Sequence, residues 1–363
     1  MHNIIWVGSR QSDIVNESIF SGSITRYGFD GESNISFCNN TFTSDYTTFV
    51  REETDRYALN SNIKFIFANE RVVYSCSPRV FANSLCVNSL AAIESLNNKI
   101  FIRNYMKDVV NVPESVVLST QSVKDTEFVK SIFADRYLDY VVQDPNGAGG
   151  IETTFLSKFD NENKYGYLLV TPYIEKSIPI NIHIVVSEKE YRIFPPSLQI
   201  LEGCFCYSGS DFIKAQQIDK TLKIKIFNIA VQIAKKIMKL KVKGIFGIDL
   251  LITQENILLL ECNFRYQGSS FLINKALFDS KLPSYFMIAY DAFYNNICYL
   301  PNDIYNMPVN YSSFKRTEKN NIKCLPQAIE IKNDGDVSSG ELRNGYICYE
   351  LYNESIIDLI HPQ

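Results

Sequence analysis

Apolar residues recur at Leu222, Ile226, Ile229, Ile233, Ile237 and Leu240, at steps of four, three, four, four and three. That is the period of a helix with one buried stripe. The spacing predicts a helix over 219–243, ended by Gly244. Its eight lysines then form a solvated face around the stripe rather than a membrane or nucleic-acid surface. The pattern changes directly afterwards. Two short apolar runs, 248–252 and 257–260, flank the turn-prone Thr253-Gln-Glu-Asn256, which predicts an antiparallel hairpin. Further strands are expected over 4–7, 63–67, 72–74, 140–143, 167–170 and 180–186. Helices are expected over 87–96, over 99–107 behind an Asn98 cap, and over 283–296. Residues 312–321 read as a polar connection, and 327–351 as a short β-rich tail.

The charges of the hairpin change this picture from a fold to a chemistry. Asp249 and Glu261 lie where the paired strands bring them face to face. At about 4 Å two carboxylates repel by on the order of 4 kcal/mol at an effective dielectric near 20, so a cation is needed between them. Magnesium takes one or two carboxylates together with phosphate oxygens, and the neutral amide of Asn263 completes such a shell without adding charge. Glu261, Asn263 and Arg265 alternate and share one strand face, while Cys262 and Phe264 turn to a core. Arg265 is then placed to clamp a transferring phosphoryl group. The plainer alternative is a hairpin whose charges sit in solvent.

Composition narrows the classes. A chain of 363 residues, 46% hydrophobic and 13% aromatic, buries a large core in two or three lobes. A net charge of −4 offers no general field for nucleic acid or anionic lipid. No apolar run approaches the roughly 18 residues of a membrane span, and the start of the sequence lacks a signal-peptide pattern, so a cytoplasmic location is expected. The nine cysteines occur singly apart from Cys204-Phe-Cys206, which argues against a disulfide framework or a zinc site. With three histidines there is little material for a histidine-based hydrolase, and His183 reads as a packed strand residue.

Gly147, Gly149 and Gly150 follow the strand 140–143 and precede Thr153 and Thr154. Taken alone they fit either a phosphate-contacting loop or an ordinary hairpin turn. Joined to the hairpin, the order of elements over about 97–275 resembles the ATP-grasp ligase family, on Lys99 of Asn-Asn-Lys-Ile, Gly147 to Gly150, Leu169-Val-Thr-Pro-Tyr-Ile174, and Asp249, Glu261, Asn263 and Arg265. The resemblance implies an α/β (α+β grasp) fold: an amino-terminal α/β pre-grasp lobe over 1–96, and a grasp domain over 97–300 of two α+β subdomains clasping nucleotide, its small lid subdomain at about 135–175. A β-rich extension over 301–363 follows.

It further implies ATP and one or two Mg2+ ions. Lys99, Gln143 and the lid glycines would meet phosphates, with Thr171, Tyr173, Ile174 and Leu260 around adenine. Asp249, Glu261 and Asn263 would hold metal, and Arg265 and Lys99 would act in catalysis. Gln143 stands where the family commonly has a lysine, so a lysine introduced there is expected to tighten ATP by about 1 kcal/mol or more if the side chain meets phosphate. Pro179 stands where a ribose-binding glutamate is often found, with Glu175 as a substitute. Gln267, Gly268 and Ser269 are expected to line the acyl-acceptor pocket, and Arg192, Ser197, Gln199 and Asp211 to meet an amino-acid substrate. The implied activity is activation of an amino-acid or small-peptide carboxylate as an acylphosphate and its transfer to an amine, or to a carrier-protein thiol, in peptide or secondary-metabolite biosynthesis. A homodimer is compatible with it. The alternative is a non-catalytic nucleotide-binding scaffold or regulator.

Overall fold

The computed structural model describes residues 3–10, 14, 17–27, 37–40, 46–68, 73, 75–84, 90–134, 136–147, 149–150, 152–160, 166–316, 325–333 and 348–360. Strands β1 (Ile4–Arg10), β2 (Phe20–Tyr27), β3 (Phe37–Asn40) and β4 (Lys64–Phe67) form a parallel sheet in the order β3-β2-β1-β4. Their buried apolar runs, such as Ile4 to Val7, suit a sheet covered on both faces. Of the strand expected over 72–74 only Val73 is described, and it is buried in helical conformation. The expected helix 87–96 is observed as Leu90–Asn97, with 87–89 outside the described residues.

A second sheet is antiparallel. It consists of β5 (Val116–Ser119), β6 (Tyr140–Gln143), β7 (Thr153–Phe155) and β8 (Tyr167–Pro172), in the order β5-β8-β6-β7. The third holds β9 (Ile178–Val186), β10 (Tyr191–Glu202), β11 (Cys206–Asp211), β12 (Gly244–Ile252), β13 (Ile257–Asn263), β14 (Ser312–Arg316), β15 (Glu330–Asn333) and β16 (Cys348–Tyr352). Its order is β13-β12-β9-β10-β11-β14-β16-β15. The carboxyl-terminal strands thus continue the sheet that carries the hairpin. Residues 312–316, expected as a polar connection, form β14 because Ser312, Ser313 and Phe314 are all buried between β11 and β16; 317–321 lie outside the described residues.

One face of this eight-stranded sheet, with Ile182, Ile248 and Leu259, packs on Ile226, Ala230, Ile233 and Ile237 of the helix Lys220–Met238. Asp219 caps that helix by accepting from the Thr221 and Leu222 amides. It ends five residues earlier than the apolar spacing predicts. Lys241 adopts φ 57° and Gly244 φ 101°, which turn the chain back into β12. The opposite face meets the first lobe through Trp6, set edge-on to Tyr266 and Phe286 at 5.3 Å each. Among the described residues no helix is long and apolar enough to cross a membrane.

Candidate active site

The hairpin β12–β13 pairs Asp249 with Glu261, with a register shift just after Asp249 that re-aims the strand. Asn263 Nδ2 donates to Asp249 Oδ2 at 2.9 Å and to Glu261 Oε1 at 3.0 Å. Its Oδ1 accepts from Arg265 Nη2 at 3.2 Å. Cys262 and Phe264 are buried on the far side, against the long helix. Period two therefore sorts the residues as the alternation predicts.

The two carboxylates are shifted in opposite directions. Burial and then the neighbouring Glu261 push the Asp249 carboxyl well above the usual range. Burial would also raise Glu261, but the Lys99 ammonium at 2.8 Å overrides it and holds that carboxyl low. Two adjoining buried charges repel, which favours the protonated form of Asp249. A divalent ion would remove that conflict.

Lys99 opens the helix Lys99–Met106, capped by Asn98 Oδ1, which accepts from the Ile100 and Phe101 amides. The same helix start anchors the glycine segment. Lys99 N–H donates to Pro145 O at 2.8 Å, Lys99 Nζ donates to Gly147 O, and Asn98 Nδ2 reaches Asn146 Oδ1 at 3.0 Å. Gly149 (φ 65°) and Gly150 (φ 77°) take the left-handed conformation, and a Cβ on Gly150 would lie 1.9 Å from Phe205 O in the β10–β11 turn. Tyr207 N–H donates to Gly149 O at 3.3 Å, and Phe205 packs on Phe155 at 4.8 Å. The glycine segment is thus laid down against that turn.

On the hinge strand, Thr171 is buried, Tyr173 N–H donates to Asp139 O, and Ile174 O accepts from Ser177. The Tyr173 ring lies edge-on to Phe155 at 5.0 Å. Glu175 is exposed.

Not every expected substrate residue converges. Gln199 Nε2 donates to Asp249 Oδ1 at 2.9 Å, and Ser197 is fully buried beside Asn181, so both adjoin the hairpin. Gln267 Nε2 donates to the Asn263 and Arg265 carbonyls, and a Cβ on Gly268 would meet the Tyr207 ring at 2.5 Å. These two brace the loop after the hairpin. Ser269 turns its hydroxyl to His183 Nε2 at 2.8 Å and is not offered to an acceptor.

Arg192 does not reach the site. It pairs with Val185, four residues along β9 from Asn181 and so about 13 Å away. Its guanidinium is spent on Leu300 O, Tyr191 O and Glu190. Asp211 is a structural anchor instead. One oxygen caps the helix Phe212–Ala215 through Lys214 N–H, and the other accepts from Ser355, Ile356 and Ile357.

Three residues near the hairpin carry no obvious motif. Asn181 Nδ2 donates to Asp249 Oδ1 at 2.7 Å, and Arg103 bridges Leu260 O, Thr171 and Gln143. Asn181 and His183 alternate on β9, and Arg103 stands one helical turn after Lys99, so a period-two and an i,i+4 reading finds them.

His183 is fully buried between Tyr285 and Ser269, and burial pulls its imidazole down to about 3. Its folded value lies below the ordinary value near 6.5, so the fold loses stability as pH falls from about 6.5 towards 3, by on the order of 5 kcal/mol if protonation is complete. Urea unfolding across that range should show the wild-type curve falling towards that of His183→Gln in acid. Parallel curves would contradict this reading.

A family model for the ATP-grasp domain matches residues 96–269. No curated protein matches the chain. The carboxyaminoimidazole ribonucleotide synthase of Aspergillus clavatus, complexed with ATP, superposes at TM-score 0.66 with 14% identity, covering 100% of this chain and 98% of that one. A Campylobacter jejuni biotin carboxylase bound to a β,γ-ATP ligand gives TM-score 0.66 and 10% identity, with 96% and 86% covered. The biotin carboxylase domain of Hydrogenobacter thermophilus 2-oxoglutarate carboxylase gives 0.68 and 11%, with 97% and 86% covered. At such identities the likeness is one of fold. Asp249, Glu261 and Asn263 are gathered on one hairpin inside the matched segment, and residues 96–269 of this chain match the ATP-grasp domain.

Proposed function

We propose that this chain is an ATP- and magnesium-dependent ligase that activates a small carboxylate and joins it to an amine. The observation that carries the reading is the shared hydrogen bonding of Asn263 to Asp249 and Glu261, with Lys99 and Arg265 on either side. Two carboxylates suit magnesium, which completes its shell with phosphate oxygens, and Asn263 would join them as a ligand by rotating its amide so that Oδ1, which accepts from Arg265, turns to the carboxylates in place of Nδ2. The raised Asp249 carboxyl is what such a donor set shows when a cation is needed to stabilise it. Among the described residues no cluster of three histidines, cysteines or carboxylates competes as a metal site. The solved structures of similar fold were obtained with ATP, ADP or MgADP, which supports the same ligand here.

Bound magnesium would offset the charge of the β- and γ-phosphates. The chain itself positions and neutralises. A substrate carboxylate oxygen attacks the γ-phosphorus, the bond to the β-phosphate oxygen breaks, and ADP leaves while Arg265 and Lys99 offset the developing charge. An amine then attacks the acyl carbon, phosphate departs, and the amine proton passes to solvent. Lid residues Gly147 to Gly150 cover the phosphates and exclude water.

For the substrate, an amino acid or small peptide is the class we favour. Asn181 Oδ1 and Ser197 Oγ are buried next to Asp249 without a hydrogen-bond partner among the described residues, and an N–H-bearing substrate supplies the missing donors. A carrier-protein thiol as acceptor, a peptide or secondary-metabolite role, and a homodimer belong to the same proposal. ADP release measured over a panel of amino acids with candidate amines tests it: turnover should require both substrates. Tight ATP binding without turnover across the panel would instead favour a non-catalytic nucleotide binder.

A further inference from the structure

Lys99 and Arg103 project from one face of the helix Lys99–Met106, but their charges are in different situations. The Lys99 ammonium is neutralised by Glu261 at 2.8 Å and also held by Gly147 O. Arg103, 4% exposed, has no carboxylate within ion-pair distance among the described residues, and Glu261 acts on it only through space. Its Nε–H donates to Leu260 O at 2.9 Å, Nη1 to Thr171 Oγ1 at 3.1 Å and Nη2 to Gln143 Oε1 at 3.3 Å. All three acceptors are neutral. A guanidinium has five N–H donors, so two are left over. Burial pulls this group down to about 10, and the distant Glu261 offsets that only in part.

A buried cation without an anion is costly and is retained where a ligand provides one. The three acceptors belong to the hairpin strand β13, the hinge strand β8 and the lid strand β6, the elements that border the proposed nucleotide. We infer that Arg103 is a nucleotide-binding residue whose guanidinium meets the phosphate chain from the adenosine side, delivering from the helix the positive charge that Gln143 does not carry. The inference rests on the nucleotide site proposed above. It also revises the expectation for position 143: a lysine there would stand against the Arg103 guanidinium, so Gln143→Lys alone should not tighten ATP.

The competing account is a brace that ties three strands together without touching ligand. Calorimetric titration of ADP and of adenosine into the full chain, with EDTA present, separates the two. Arg103→Met should weaken ADP roughly tenfold to a hundredfold, the loss of a charge-assisted contact, while adenosine changes by less than about threefold. Arg103→Lys keeps the charge and gives up the fork, and should retain ADP within about fivefold; it also serves if Arg103→Met fails to fold. Arg103→Met with Gln143→Lys should regain ADP affinity, because a lysine on β6 restores charge without rebuilding the brace. Equal losses for ADP and adenosine, equal behaviour of the Met and Lys variants, or no rescue would each overturn the assignment. A wild-type chain that binds neither ligand would overturn the nucleotide site itself.

Discussion

Asp249→Asn is expected to give a protein that resists denaturant better than the wild type yet turns over at least about a hundredfold more slowly, the equivalent of roughly 3 kcal/mol of lost charge stabilisation. The two effects share one cause. Asp249 Oδ1 accepts from Asn181 and Gln199, Oδ2 accepts from Asn263, and Glu261 stands opposite across the hairpin. Burial and that second carboxylate raise its affinity for a proton above the unfolded value of about 3.9. For a carboxyl shifted in this direction, stability is lost as pH rises and the group is forced to ionise. A neutral amide of the same shape removes the penalty, for a gain of about 1 to 3 kcal/mol near pH 7.5. It also removes one ligand of the magnesium shell proposed above. Urea midpoints with and without magnesium test both halves: magnesium should raise the wild-type midpoint by preferential binding to the folded state and leave the variant unmoved. A variant that is less stable than wild type and still active would remove Asp249 from the metal site.

Much of this site is legible in the sequence because it is built from short periods. The hairpin follows from two apolar runs around a turn, and the alternation of Glu261, Asn263 and Arg265 puts them on one face without any knowledge of the rest of the chain. Asn98 and Lys99 are equally local, as a cap and the first helical residue. What stays hidden depends on long-range register. Ser197 lies beside Asn181, and Asn181 beside Asp249, through the pairing of β10, β9 and β12, which no local pattern fixes. Arg192 and Asp211 share the polar character of Gln199, but register carries the first along β9 to Val185, and the second is claimed by the backbone of residues 356 and 357. Ser312–Arg316 misleads for a related reason. Its serines look like a loop, yet Ser312 finds Glu354 O, and the strand is completed by chain from either side of it in sequence.

Lys99 and Glu261 should behave as one unit in stability, and the size of that coupling is the second large effect. Their side chains are 6% and 15% exposed, and the ion pair at 2.8 Å is supported by Lys99 donation to Gly147 O and Asn263 donation to Glu261. Removing one partner of such a pair strands the other charge and costs about 3 to 5 kcal/mol, whereas removing both is far cheaper. Lys99→Met and Glu261→Gln are therefore each expected to lose about 3 kcal/mol, and the double variant only about 1 to 2 kcal/mol, a coupling of about 4 to 5 kcal/mol. Chemical denaturation of the four proteins in one cycle measures it, and additive losses would show that the two charges do not stabilise one another. The pair also has a dynamic consequence, because Lys99 is the tie between the helix start and the lid carbonyl of Gly147. Both variants lacking Lys99 should be cleaved faster within 144–150 by limited proteolysis, while Glu261→Gln, which keeps that tie, should not. Equal cleavage in all three would mean that the Lys99 side chain does not hold the segment, which then rests on Phe205, Tyr207, Asn98 and the Lys99 backbone amide.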